Sequence, residues 1–407
     1  MKKYNILFRM RYFLIITSCL ILVNFFPQKV YAVTQVLAAN QIAKIDQKLH
    51  QQHFSGTILA VYQGQPIYTQ SFGYANYQNN IRNHISMLYQ IGSMQKTLTA
   101  VLIMQQIQAN HLQLDDLLSK YYPQIPNSNR ITIRMLLDMR SGLQLVNFPM
   151  RVMTTSQLLD FIEKNLQVKD VGDFDYQDVN YIILAGILSK ITHQSYQALF
   201  TKTFLTAYQP NQAGFFTTFK TQPNTTCGYL FDKNDILPNY DLPIHEAPWL
   251  ASYELGAADT YFNAWTLYQI QRDICQGKFI ELSALQQLRA GIQYSHDYYV
   301  GGIHNTEKYY WSHGLIAGYE SALVISQDGQ NAVIMLGNRP TAKYMPTLTR
   351  EIYNKYIIKP KLQMGMPFAI NFLQVTNWPA VSILQPLSLT NNLTEQIIIN
   401  YQKIMTN

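Results

Sequence analysis

Strand-forming runs cluster at the two ends of this chain's apolar body, and a long stretch of helical periodicity separates them. Alternating apolar and β-branched residues mark strands over 54–62 and 66–74, joined around Gln63-Gly64-Gln65. The same signal returns over 298–303, 309–315, 319–326 and, after a turn at Asp328-Gly329, 332–337. Between them the chain is largely helical from Ser93 to about Leu205, and a helix is expected over roughly 263–276, ended by Gly277. Residues 39–50, with Ile42, Ile45 and Leu49, form an amphipathic helix suited to pack on the sheet, and 347–356 closes the pattern with another. The pattern predicts an α+β fold: one antiparallel sheet built from both chain ends, flanked by helices, with an all-helical lobe inserted at about 93–290. A site at the seam of sheet and lobe collects residues from distant parts of the sequence.

The first 32 residues stand apart from this body. Lys2, Lys3, Arg9 and Arg11 precede an apolar run over 12–26, and Val30 and Ala32 supply small residues at the −3 and −1 positions of a cleavage site. This is the pattern of a secretory signal peptide, too short an apolar run for a spanning helix of roughly 20 residues. Export is expected, to the exterior or the cell-wall or membrane surface, with membrane association only through this segment if it stays uncleaved. The formal charge is +7, of which residues 1–32 contribute +5, so the remainder carries +2 and gives no support to a nucleic-acid partner. Cys227 and Cys275 remain beyond the signal, and pairing or free thiols are both compatible with the sequence. A Pro-rich stretch from 210 to 248 lacks periodicity and has the character of a lid or decorated surface loop. The body spans 33–358, and 359–407 forms a C-terminal extension without an assigned role.

Ile91-Gly92-Ser93-Met94-Gln95-Lys96-Thr97-Leu98-Thr99-Ala100 places a serine and a lysine on one helical face. A partly buried amine can lose its proton near neutrality, so Ser93 has the character of a nucleophile and Lys96 of its base. With the two preceding strands and the later Leu136-Leu137-Asp138-Met139-Arg140-Ser141-Gly142-Leu143, the order and spacing resemble the penicillin-recognising serine hydrolases, in the branch of class C-like β-lactamases and D-Ala-D-Ala carboxypeptidases.

The resemblance implies further site residues. The family's Tyr-x-Asn falls on Phe174-Asp175-Tyr176-Gln177-Asp178, so Tyr176 would relay protons between Ser93 and the leaving group. Asp178 departs from the family's asparagine, whose amide holds a substrate carbonyl; an ionised aspartate only accepts hydrogen bonds. Three outcomes stay open: Asp178 is protonated, it pairs with Lys96, or the acyl donor lacks the amide that asparagine grips. The family's Lys/His-Thr/Ser-Gly strand aligns with Ser312-His313-Gly314, so no lysine is present and a protonated His313 would substitute only in part. The backbone amides of Ser93 and Leu315 would form the oxyanion hole. His245, His296 and His304 lack metal-ligand spacing, and neither metal nor cofactor is expected. The activity implied is hydrolysis through an acyl-enzyme of D-alanyl groups on peptidoglycan or teichoic acid, with β-lactams as further ligands. The alternatives are a non-catalytic penicillin-binding-like wall-binding module, a small-ester esterase or a β-lactamase.

Overall fold

In the computed structural model, residues 34–208, 212–230, 240, 242–291, 297–341 and 343–365 are described. The signal segment, His296, most of the extension and parts of the Pro-rich stretch therefore lie outside the described residues. The main sheet has seven antiparallel strands: β1 (Gly56–Tyr62), β2 (Gln65–Phe72), β3 (Asp297–Val300), β4 (Ile303–Thr306), β5 (Tyr309–Ile316), β6 (Tyr319–Ser326) and β7 (Ala332–Gly337). Their spatial order is β3-β4-β5-β6-β7-β1-β2, so the last strand in sequence pairs with the first, Met335 opposite Ile58. The sheet can close only when both chain ends have arrived.

Five helices matter for the site and its support: α1 (Ala39–Gln51), α2 (Gln95–Gln108), α3 (Val179–Thr192), α4 (Ala264–Cys275) and α5 (Met345–Ile352). Alternation along the strands sends side chains to two different cores. Ile58, Ala60, Val324, Val333 and Met335 pack with Ile45 and Leu49 of α1 and Leu348 and Ile352 of α5. Leu59, Val61, Leu323, Ile325, Ile334 and Leu336 face the helical lobe instead. Each fully buried aliphatic side chain contributes about 1.5–3 kcal/mol, so both faces of the sheet are committed. Helix α2 is the lobe's centre, with Gln95 through Met104 all buried, which explains why it shows no single apolar stripe.

The structure differs from the expected elements at three places. The strand expected over 298–303 is a hairpin, because Gly301 and Gly302 take φ of +56° and +81° and turn the chain between β3 and β4. The closing helix starts at Met345 and continues from Tyr353 to Ile357 with wider i→i+5 turns. The extension opens with a strand, Leu362–Gly365, that pairs with Thr34–Leu37. Within the Pro-rich stretch, Ala213–Phe215 joins a small three-stranded sheet, and the Cys227 and Tyr229 amides donate to the carbonyls of Ala75 and Asn338. Cys227 and Cys275 are both free.

The β3–β4 hairpin is pressed against α2. Thr97 Oγ1 donates to the Gly302 carbonyl at 2.8 Å, and a Cβ on Gly302 would come within 2.5 Å of Lys96 C and Thr97 N. Gly302→Ala is expected to destabilise the protein by about 1–3 kcal/mol through this overlap and the positive φ. Urea unfolding followed by circular dichroism checks it, and an unchanged midpoint would contradict the contact.

Candidate active site

Ser93 sits in a tight turn, Gly92–Met94, that leads into α2. The turn requires Gly92 at φ +52°, and a Cβ there would meet the Leu315 amide nitrogen at 2.8 Å. Leu315, on β5, is thereby held against the Ser93 turn. Lys96 lies one helical turn on and is fully buried. Its Nζ donates to Ser93 Oγ at 2.7 Å and to the Ala257 carbonyl at 3.3 Å, and stands 2.6 Å from Asp178 Oδ1. Two hydrogen bonds and one ion pair thus surround the buried amine.

Burial alone would push the Lys96 amine down, as the sequence reading assumed. It is opposed by the charge of Asp178, by Tyr176, by the hydrogen bond to Asp178 and by Glu254, and the net shift is upward. Lys96 is therefore a standing cation rather than a free base, and pairing with Lys96 is the outcome realised among the three open for Asp178. Asp178 precedes α3, whose positive N-terminal end also favours an anion. Tyr176 is half-buried, with Lys96 Nζ 5.2 Å from its ring centroid and the Tyr299 ring at 5.5 Å, edge on. Burial raises the Tyr176 phenol; Lys96 pulls it down, Asp178 pushes it up, and hydrogen bonds with Ser93 and Lys96 pull it down. Burial wins, so Tyr176 rests as a phenol.

Residues 254–260 form a second wall. The Gly256 carbonyl accepts from Thr99 Oγ1 at 2.6 Å, and Asp259 Oδ1 accepts from Gln95 Nε2 at 2.5 Å, so this segment grips α2 above and below Lys96. Glu254 is buried, and its Oε2 has no hydrogen-bond partner among the described residues. Its own burial and then the charge of Asp178 push it well above the usual carboxylate range, against the pull of Lys96. Sequence reasoning passed over Glu254, the Ala257 carbonyl and Asp259. The available signal was two acidic residues inside the apolar run Glu254-Leu255-Gly256-Ala257-Ala258-Asp259.

Strand β5 completes the site. A Cβ on Gly314 would fall 1.9 Å from the Ile91 carbonyl oxygen, and Ser321 Oγ, opposite Gly314, donates to that same oxygen at 2.7 Å. Only glycine lets β5 approach the Ser93 turn this closely. Ser312, two residues away, shares Gly314's face and is buried, and its Oγ has no hydrogen-bond partner among the described residues. His313 points to the opposite face, away from Ser93. Its Nε2 lies 3.3 Å from Glu320 Oε1 and its Nδ1 3.4 Å from the Tyr344 hydroxyl. The expectation that His313 could stand in for a substrate-binding cation is corrected by this register, since adjacent strand residues face opposite ways. Strand β4 pairs with β5 only at Tyr310 and Trp311, so Ser312–Ile316 keeps one edge free of any described strand.

A serine, a lysine and a tyrosine at the seam of an antiparallel sheet and a helical lobe define a class, and the comparisons agree with it. Residues 42–355 match the family model described as Beta-lactamase, and the chain belongs to that family. It is a serine hydrolase of the β-lactamase fold. It is 27% identical over 319 residues to the penicillin-binding protein PbpX of Bacillus subtilis (strain 168), covering 78% of this chain and 79% of that one. To the teichoic acid D-alanine hydrolase of Staphylococcus aureus it is 28% identical over 154 residues, 38% of this chain and 39% of that enzyme's length. Among solved structures, FmtA from Staphylococcus aureus superposes with a TM-score of 0.67 at 21% identity, over 79% of this chain and 90% of that one. The D-amino acid amidase from Ochrobactrum anthropi SV3 complexed with L-phenylalanine amide gives 0.65 at 18%, over 77% and 95%. Both structural likenesses speak to the fold.

The carboxyls packed around the site set a pH dependence of stability. Burial pushes Asp259 up to about 7 against hydrogen bonds from Gln95 and the Gly256 amide, and pushes Glu246 to about 7 against Gln90 and Lys220. The folded state therefore holds more protons than the unfolded chain between roughly pH 4 and 7, and stability falls as pH rises through that window. Each group contributes at most about 1.4 kcal/mol per pH unit. Urea unfolding at pH 4.5 and 7.5 is expected to show the loss, and Asp259→Asn to shrink it. A slope unchanged by that substitution would mean Asp259 is ionised in the fold.

Proposed function

We propose that this protein removes D-alanyl groups from cell-wall polymers at the outer surface of the cell, with D-alanine ester-linked to teichoic acid as the favoured donor. The observation that carries the reading is the Ser93–Lys96–Asp178 constellation beside Tyr176, set against a β5 strand that offers no lysine. Ser93 Oγ attacks the ester carbonyl as its proton moves to the Tyr176 oxygen and the Tyr176 phenol proton moves on to the leaving alcohol oxygen, so the ester C–O bond breaks, the phenol is restored and Lys96 stays protonated throughout. Water then attacks the acyl-enzyme by the same relay run in reverse, one of its protons passing through Tyr176 to restore the Ser93 hydroxyl as D-alanine is released. Because Lys96 already donates to Ser93 Oγ, the hydroxyl proton is directed away from the amine and toward Tyr176. The standing cation also favours the partial negative charge that Tyr176 carries as its own proton leaves for the alcohol oxygen. The amides of Ser93 and Leu315 serve as oxyanion donors, a role whose loss typically costs on the order of 10²–10³ in rate.

Similarity to the Staphylococcus aureus teichoic acid D-alanine hydrolase supports the choice of donor, and export rests on residues 1–32. A carboxypeptidase acting on D-Ala-D-Ala would need a cation for the terminal carboxylate, and Ser312-His313-Gly314 places none beside Ser93.

The test pairs intact-protein mass spectrometry with an ester assay on residues 33–407. Wild-type protein is expected to release D-alanine from a D-alanyl glycerol ester, and Ser93→Ala to lose at least about 10³-fold in kcat/KM. An adduct of one penicillin mass on wild type and none on Ser93→Ala would identify the nucleophile independently. No turnover and no adduct would leave the wall-binding module as the reading.

A further inference from the structure

The charges around Ser93 are arranged for a particular kind of acyl donor. Asp178 places Oδ1 against Lys96, yet about 20% of its side chain remains open to solvent, so the carboxylate retains acceptor capacity. Glu254 stands close enough to feel both Asp178 and Lys96, with an oxygen that has no partner among the described residues. On the β5 side the cleft face carries a neutral hydroxyl at Ser312 and no side chain at Gly314, while His313 faces away. Among the described residues the cation beside Ser93 is Lys96, already paired with Asp178, and the β5 side adds no lysine or arginine for a ligand carboxylate. The second Asp178 oxygen is the acceptor open to a ligand cation.

Resting on the hydrolase reading above, we propose that Asp178 is a specificity-determining residue that recognises the free α-ammonium of the acyl donor. The donor class is then a D-aminoacyl ester with an unblocked amine and no carboxylate on its leaving group. The reach is suitable: one ammonium, Lys96 Nζ, lies 2.7 Å from Ser93 Oγ and 2.6 Å from Asp178 Oδ1. In an α-aminoacyl ester the amine nitrogen is two bonds from the carbonyl carbon that Ser93 attacks. The second Asp178 oxygen, which is not the one at 2.6 Å from Lys96, is the acceptor assigned to that ammonium. N-acylated donors, including acylated stem peptides, present a neutral amide at the same place and leave the carboxylate without a partner.

The experiment compares D-alanyl glycerol ester with N-acetyl-D-alanyl glycerol ester for wild type, Asp178→Asn and Asp178→Glu, each first shown to be folded by circular dichroism. Wild type is expected to favour the free amine by roughly 10- to 100-fold in kcat/KM, the scale of one charge-assisted hydrogen bond. Asp178→Asn is expected to lower both rates through its effect on Lys96 and, separately, to collapse the ratio between the two esters toward one. Asp178→Glu should retain the preference. A wild type that treats both esters alike, or a ratio unchanged in Asp178→Asn, overturns the assignment while the hydrolase reading stands. Failure to hydrolyse either ester, together with no Ser93 adduct, overturns that reading and this inference with it.

Discussion

The site depends on a charge that cannot leave. Lys96 is fully buried, and an isolated ammonium in that position would shed its proton to escape desolvation. Asp178 at 2.6 Å keeps the charge in place, and the Ala257 carbonyl and Ser93 Oγ complete its shell. Removing either partner of such a pair typically costs about 3–5 kcal/mol, because the survivor is left charged and unpaired. The chemistry inherits this constraint. In the proposed mechanism the lysine contributes a fixed field, and the proton relay runs through the phenol next to it, which burial keeps protonated at rest.

That field is useful only if the nucleophile's turn, the helix and the strand hold their spacing, and here backbone packing does the work. Gly92, Gly302 and Gly314 each occupy a place where a Cβ would come within 3 Å of a neighbouring backbone atom. Gly314 lets β5 lie against Ile91, Gly302 lets the β3–β4 hairpin lie against Lys96, and Gly92 turns the chain so that Leu315 N sits beside it. The segment 254–260 closes the remaining side through Gln95, Thr99 and Lys96. The parts come from sequence positions far apart and meet because β7 pairs with β1.

Much of this was legible in the residues. Strand alternation at both ends and helical periodicity between them specify the sheet closed by its termini, since a half-buried strand and a buried helix leave different periods. The spacing of Ser93 and Lys96 implies a shared helical face for purely geometric reasons. Less legible were effects set by register and by neighbours distant in sequence. Whether His313 faces the cleft turns on a single-residue phase along β5, and Glu320, seven residues on across the β5–β6 turn, is what claims it. The protonation of Lys96 depends on Asp178, more than eighty positions away, and burial by itself points the other way. The Gly301-Gly302 pair was a turn signal inside what looked like one strand.

The same dependence explains why an aspartate at 178 is compatible with an active site. An asparagine there would present a donor to a substrate carbonyl and would leave Lys96 without its counter-charge, so the amine would fall toward its neutral, basic form. An aspartate exchanges that base for a paired cation and, under the proposed role of Asp178, turns a carbonyl-binding position into a cation-binding one. Under that proposal, proton handling and substrate charge are coupled through one side chain. A β5 strand without a lysine is consistent with that proposal, since a second fixed cation there would compete with Lys96 for Asp178.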